Sequence, residues 1–190
     1  MLGRTHQIIG LTASLAYYLY TAPHAYNPAT LAAVVGAAHI AGLLPDIDQP
    51  TGKIWTMIPL GKIFGAVVNP FLQHRNLSHS FLGIAIVTFG MRALIHRFLP
   101  AYWGVDSHQL LMSIVIAYSF HLLADMVTVE GIPLFFPAPR MYGFPPHPFQ
   151  GLRILTGHWF ENLIVFPLAN VALWWLVWTH WPAITAILLR

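Results

Sequence analysis

Two acid–imidazole patterns stand out in a chain that carries little other charge. His121-Leu-Leu-Ala-Asp125 sets an imidazole and a carboxylate four residues apart. On a helix that spacing brings both to one face, where they can serve one ion as two ligands. The plainer reading is a histidine hydrogen-bonded to an aspartate inside a bundle. Both groups are costly in lipid, which favours a functional role. Leu-Leu-Pro45-Asp46-Ile47-Asp48 closes an apolar run with two carboxylates. Acids oppose the negative C-terminal end of a helix dipole. A nearby cation accounts for them better than capping does.

His74-Arg75-Asn76-Leu77-Ser78-His79-Ser80 is a dense run of hydrogen-bonding groups. Its imidazoles could be ligands or general acid–base groups, and Arg75 could hold an anion such as phosphate. Ser78 or Ser80 suits the cap of a following helix. His158-Trp-Phe-Glu161, at i,i+3 spacing, could face the same pocket, and His6 stands near the first apolar run. His24, His39, His96, His108 and His180 read as structural or interfacial.

The chain has no cysteine, which excludes disulfides, CxxC redox chemistry and thiolate zinc sites. Any ion must be held by His, Asp or Glu. Mixed ligation of this kind suits Zn²⁺, Mn²⁺ or Fe better than Mg²⁺ or Ca²⁺. There are enough candidates for one or two ions, with a carboxylate bridging. Such a site can activate water and clamp a phosphoester oxygen.

The elements that must position these groups follow from composition. The sequence is 57% hydrophobic and 8% charged, against about 25% charged in soluble domains. Lipid is therefore the second solvent. Seven Trp and seven Tyr suit interfacial belts. The nine basic residues are scattered, with no stripe for nucleic acid. The fold class is all-α: a polytopic membrane bundle of about five helices with an interfacial metal site, in one domain over residues 1–190. Apolar runs and breakers predict helices over 7–20, 29–44, 80–99 and 109–127, and a fifth from 158 onward. Residues 49–76 read as an interfacial loop with one short amphipathic helix, and 131–151 as a second interfacial loop. The first run also fits a signal peptide, with Arg4 as its charge and Ala22 and Ala25 as small residues. The membrane-helix reading is the one adopted, because the site uses His6.

Five alternating spans put the start of helices 1, 3 and 5 and the end of helices 2 and 4 on one side. Every singled-out acid and imidazole lies there. So do Arg4, Lys53, Lys62, Arg75, Arg140 and Arg153, against Arg97 and Arg190 opposite, with Arg92 inside helix 3. The excess predicts that this side is cytoplasmic.

The sequence resembles the YdjM-like, LexA-regulated inner-membrane family, whose members are described as membrane-bound metal-dependent hydrolases. The segments that carry the resemblance run in order along nearly the whole chain. They are Thr5-His6 with Gly10, Leu44 to Asp48, His74 to Ser80, His121 to Gly131, Pro133, Pro137, Arg153 to Gly157, and Glu161. Ser78 stands where that family usually has Thr, which keeps the hydroxyl. The family is in turn distantly similar to zinc-dependent phospholipases C and fungal zinc nucleases. By that pattern Asp46, His79, His121 and Asp125 would be ligands, Asp125 as a candidate bridge, with His6 joining them and Asp48 next. The further His and His-x-x-x-Glu/Asp of those enzymes have only His147 and His158-x-x-Glu161 as counterparts here.

The resemblance implies a hydrolase that cleaves a phosphoester, lipid-like substrate at the cytoplasmic face by metal-activated water. Asp48 or Glu130 would be the general base, and His74 or Arg75 would steady the anion or leaving group. The alternative is a metal-binding membrane protein or metal transporter without hydrolytic activity. A transporter needs polar groups continuing across the membrane, and the middles of helices 1, 2 and 5 carry few. A bis-histidine haem protein and a catalytically silent scaffold are the remaining classes.

Overall fold

Each helix that shapes the site starts or stops for a local chemical reason. Asn27 caps the second helix, its Oδ1 accepting from Thr30 N at 2.7 Å. Ser80 Oγ accepts from Gly83 N, and Asp106 Oδ1 accepts from Gln109 N at 2.9 Å. These side chains satisfy amide groups that a helix start leaves without partners. The computed structural model describes residues 1–21, 27–49, 52–57, 59, 61, 63, 65 and 77–189. Among the described residues lie α1 (Gly3–Thr21), α2 (Pro28–Ala41), α3 (Lys53–Thr56), α4 (Phe81–Phe98), α5 (Ser107–Met126), α6 (Phe166–Thr179) and α7 (Trp181–Leu188). No named strand occurs among them, only isolated bridges at Thr128–Ile154 and Ile132–Tyr142.

Among the described residues, three stretches are long and apolar enough to cross a membrane: Phe81–Phe98, Ser107–Met126 and Glu161–Thr179. Only 6% of each outer stretch is buried inside the protein, against 50% of α5. The core therefore forms around α5, and α4 and α6 turn most of their surface outward. Helices α1, α2 and α4 all pack on α5. Gly10 meets Ala117 at the α1–α5 contact, where a Cβ on residue 10 would lie 3.1 Å from the Ala117 Cβ. Small residues allow such close approach. Ala38, Ala41, Ile95, Ile114 and Ala117 fill the middle of the bundle. Leu15, Tyr18, Leu31, Val34 and Leu176 fill the end away from the site.

Several boundaries differ from the sequence expectation. α1 begins at Gly3, so Arg4 and His6 belong to the helix instead of leading into it. α2 stops at Ala41, because Gly42 and a 3₁₀ turn over Leu44–Asp48 with Pro45 early in it replace the last apolar turn. The fifth helix is two. A π-helical stretch, Glu161–Val165, runs into α6, and the chain breaks at His180 before α7, which has Pro182 in its first turn. The short helix expected in the 49–76 loop is present as α3. The loop after α5 is ordered by backbone bonds, among them Ile154 N to Val127 O, Phe144 N to Met126 O and Phe81 N to Leu134 O.

Candidate metal centre

Four segments bring their polar groups to one end of the bundle. The 3₁₀ turn after α2 carries Asp46 and Asp48, and the turn before α4 carries His79. The last turns of α5 carry His121 and Asp125, and the first turns of α1 carry His6. His6, His79, His121, Asp48 and Asp125 are at most 1% exposed, and Asp46 is 14% exposed on its side chain. Proline at 45 and the tight 3₁₀ winding aim Asp46 at the end of α5, which a continuing α-helix would not do.

The distances are of the size that a coordination shell would need. His79 Nε2 lies 3.8 Å from Asp46 Oδ1 and 3.5 Å from Asp125 Oδ2. His121 Nε2 lies 3.6 Å and 3.7 Å from the same two oxygens. Zinc bonds of about 2.1 Å in a tetrahedron set ligand atoms about 3.4 Å apart. Four edges of the shell are therefore close to that size. The His6 ring stacks on His121 with centroids 3.6 Å apart, and His6 Nε2 is 3.2 Å from Asp125 Oδ1. The Met1 α-ammonium reaches the same oxygen at 2.5 Å. Asp125 thus offers one oxygen to His79 and His121 and the other to His6. Among the described residues, two groups have potential ligand atoms within 4.8 Å of one another: His6, Asp46 and His121, and His79, His121 and Asp125.

Hydrogen bonds behind the shell set which nitrogen faces it. His121 Nδ1 lies 2.7 Å from the Gly42 carbonyl oxygen. A carbonyl only accepts, so Nδ1 carries the proton and Nε2 turns a lone pair inward. That Nε2, like both nitrogens of His6, is buried without a hydrogen bond. Ser78 Oγ donates to Asp48 Oδ2 at 2.6 Å and accepts from His79 Nδ1 at 3.0 Å. His79 Nε2 is left facing Asp46 and Asp125. Burial alone would push the His79 imidazole down. Hydrogen bonds to Asp125 and Asp48, and the charge of both carboxylates, outweigh it and hold the group raised to about 9. Buried imidazole nitrogens beside two carboxylates fit a divalent cation once the His79 proton is displaced.

The family model for YdjM inner membrane protein matches residues 1–189. The chain belongs to the YdjM inner membrane protein family. It is 31% identical over 117 residues to the inner membrane protein YdjM of Escherichia coli (strain K12), covering 59% of this chain and 53% of that protein. The figures for the Shigella flexneri protein are the same. The chain thus spans about half the length of the YdjM relatives it matches. It is 27% identical over 165 residues to the uncharacterized protein YvsG of Bacillus subtilis (strain 168), covering 87% of this chain and 88% of that one. No solved structure matches.

Against this YdjM frame, the structure brings His6, Asp46, His79, His121 and Asp125 together. Asp48 is buried with them but addresses the Nδ1 side of His79, 3.4 Å away, and belongs to neither ligand group. Glu130 is exposed. It lines a polar pocket of about 480 Å³ with Asp46, Gln49, Lys53, Thr56 and Thr156. Two expected residues fall away from the ligand groups. His158 is exposed. Glu161 is buried, yet its oxygens accept from Leu2 N at 2.6 Å and Gly157 N at 2.7 Å. Backbone amides occupy it because the π turn points it at the start of α1. His74 and Arg75 lie outside the described residues, as do His24, Lys62 and Arg190.

Sequence reasoning missed three contributors. Gly42 orients His121 through its carbonyl, which no side-chain pattern reveals. Ser78 relays between Asp48 and His79 instead of capping, the cap being Ser80. Lys53 donates to Gln7 Oε1 at 2.5 Å, and Gln7 Nε2 meets His39 Nε2 at 2.9 Å. His39 is therefore part of a network and is not isolated. The His-Gln-Lys spread over three elements left no spacing to read.

Proposed function

We propose that this protein is a membrane-bound metal-dependent hydrolase that cleaves a phosphoester, lipid-like substrate at the cytoplasmic membrane face. The observation that carries the reading is the convergence of Asp46, His79, His121 and Asp125, with four imidazole–carboxylate distances of 3.5, 3.6, 3.7 and 3.8 Å, beside the pocket lined by Asp46, Lys53 and Glu130. Zn²⁺ is the ion that the mixed His/Asp set fits best, with Mn²⁺ or Fe next. His6 and the outer oxygen of Asp125 offer a place for a second once the Met1 ammonium on that oxygen gives way. A divalent cation held there supplies charge that acidifies water and polarises a phosphoryl oxygen.

The residues around the set have separable tasks. His79 and His121 hold their tautomers through Ser78 and Gly42, so their Nε2 atoms are oriented before an ion arrives. Asp48 positions His79. Glu130, at the pocket wall, receives a proton from attacking water, and the Lys53 ammonium faces substrate anion. His74 and Arg75 are the candidates for steadying the departing group. The basic excess at this end supports the cytoplasmic assignment, and the apolar clusters across the bundle support a hydrolase over a transporter.

The test is metal analysis of the purified protein, followed by vesicles of defined phospholipids and a panel of soluble phosphodiesters. The expected result is one or two ions per chain and turnover that a chelator removes and Zn²⁺ restores. Asp125→Asn should lose both metal and turnover. Full metal content in Asp125→Asn sinks the ligand set. Full metal content with no turnover on any phosphoester, together with ion flux in vesicles, favours the transporter.

A further inference from the structure

The polar groups at the other end of the bundle belong to no part of that centre. Arg92 and His96 stand at i,i+4 on α4, hence on one face. With Ser107 and His108, the first residues of α5, and with Ile95 and Leu111, they line a crevice of about 330 Å³. α4 and α5 are consecutive and pack on each other. His79 precedes α4 and His121 closes α5, so this crevice lies at the end away from the metal centre.

Arg92 sits six residues before Phe98, the last residue of α4, or about 9 Å of helix rise. Arg92 therefore lies within the stretch long enough to cross a membrane, and it is exposed on the protein surface, so its long side chain can reach towards the headgroups. A cation there needs a counter-charge. All six acidic residues of the chain are among those described, and among the described residues Arg92 makes no ion pair. Asp46, Asp48, Asp125, Glu130 and Glu161 are all at the opposite end. Asp106 is the one acid nearby, and its Oδ1 is turned to the amide of Gln109 as a helix cap. The ring N–H groups of two histidines and the Ser107 hydroxyl add donors to the guanidinium. The walls below them, Ile95 and Leu111, are apolar.

We propose that this crevice binds the phosphate of an anionic phospholipid, with Arg92 as its charge partner and the lipid's chains lying along the exposed face of α4. The shared chemistry is a phosphate monoanion. The membrane is its source here, because the same helix presents exposed Phe89, Leu94 and Phe98 for the lipid's chains.

The experiment uses the whole chain in nanodiscs of phosphatidylcholine with graded phosphatidylglycerol. Bound lipid is read by native mass spectrometry, and the unfolding midpoint is read in parallel. The expected result is retention of one phosphatidylglycerol per chain, weakened about fivefold or more in Arg92→Gln, weakened in His108→Ala, and kept in Arg92→Lys. Arg97 lies over the Phe98 ring at 5.4 Å and is outside the crevice lining, so Arg97→Gln should bind as the parent does. Equal loss in Arg97→Gln overturns the proposal, because the attraction is then diffuse. Unchanged retention in Arg92→Gln and His108→Ala also overturns it. Inorganic phosphate binding at Arg92 with no preference for phosphatidylglycerol overturns the lipid assignment. Metal content is expected to be unchanged in all these variants.

Discussion

Asp48 Oδ2 stands 3.4 Å from His79 Nδ1, while His79 Nε2 faces Asp46 and Asp125 at 3.8 Å and 3.5 Å. The carboxylate therefore grips the ring from behind, with Ser78 as a second link. Such partners orient a ligand and raise its basicity. Asp48→Asn should lower Zn²⁺ affinity about 10–100-fold while leaving measurable binding. Asp125→Asn should remove it. Calorimetric titration of both variants separates the roles, and equal affinities in the two would show that Asp48 is itself a ligand.

Metal loading should release protons. With His79 raised to about 9, the imidazole is protonated at neutral pH in the metal-free protein, and an ion must displace that proton. Apparent affinity should rise about tenfold per pH unit between pH 6 and 8. The metal-free stability runs the other way. A raised folded-state pKa contributes stability that is fully present below the unfolded value of about 6.5 and is lost as pH rises towards 9. Titrations in buffers of different ionisation enthalpy count the protons, and a pH-independent affinity would contradict the assignment.

Gly83 lies against the turn that carries His79. A Cβ there would sit 2.8 Å from the Ser78 carbonyl oxygen and would also strike that of Leu77. Gly83→Ala should cost about 1–3 kcal/mol through overpacking and weaken metal binding by displacing His79. Gly90 on the same helix has nothing within 4 Å of such a Cβ. Gly90→Ala should match or exceed the parent in thermal midpoint, with metal affinity unchanged.

Glu161 carries two backbone amides and no place in the ligand groups. Glu161→Gln loses one acceptor, leaving a buried amide unsatisfied at about 1–3 kcal/mol. Metal content in the folded variant should equal that of the parent. A drop in metal content with the fold intact would return Glu161 to the site.

Element identity was readable where apolar runs met clear breakers. Helices expected over 80–99 and 109–127 are Phe81–Phe98 and Ser107–Met126. Where polar residues joined a helix, the reading failed. His6 and Arg4 looked like an approach to α1 because burial of an imidazole has no local signature. Leu43 and Leu44 looked like a last helical turn because apolar character does not separate α from 3₁₀ winding. Most of the residues that converge could be foreseen, since carboxylates are scarce and i,i+4 spacing fixes a face. That Asp48 meets the Nδ1 side of His79 while Asp46 meets the Nε2 side could not be read from their spacing.

The contact of Gly10 with Ala117 lies one helical turn from the stacked pair of His6 and His121. The missing side chain at residue 10 acts as a gauge, holding two imidazoles at contact without touching either. The aperture of the cage and the chemistry of its donors are thus controlled by different residues. If this cage holds an ion as proposed, selectivity among ions of different radius should shift with substitutions at positions 10 and 117 while every donor atom is retained.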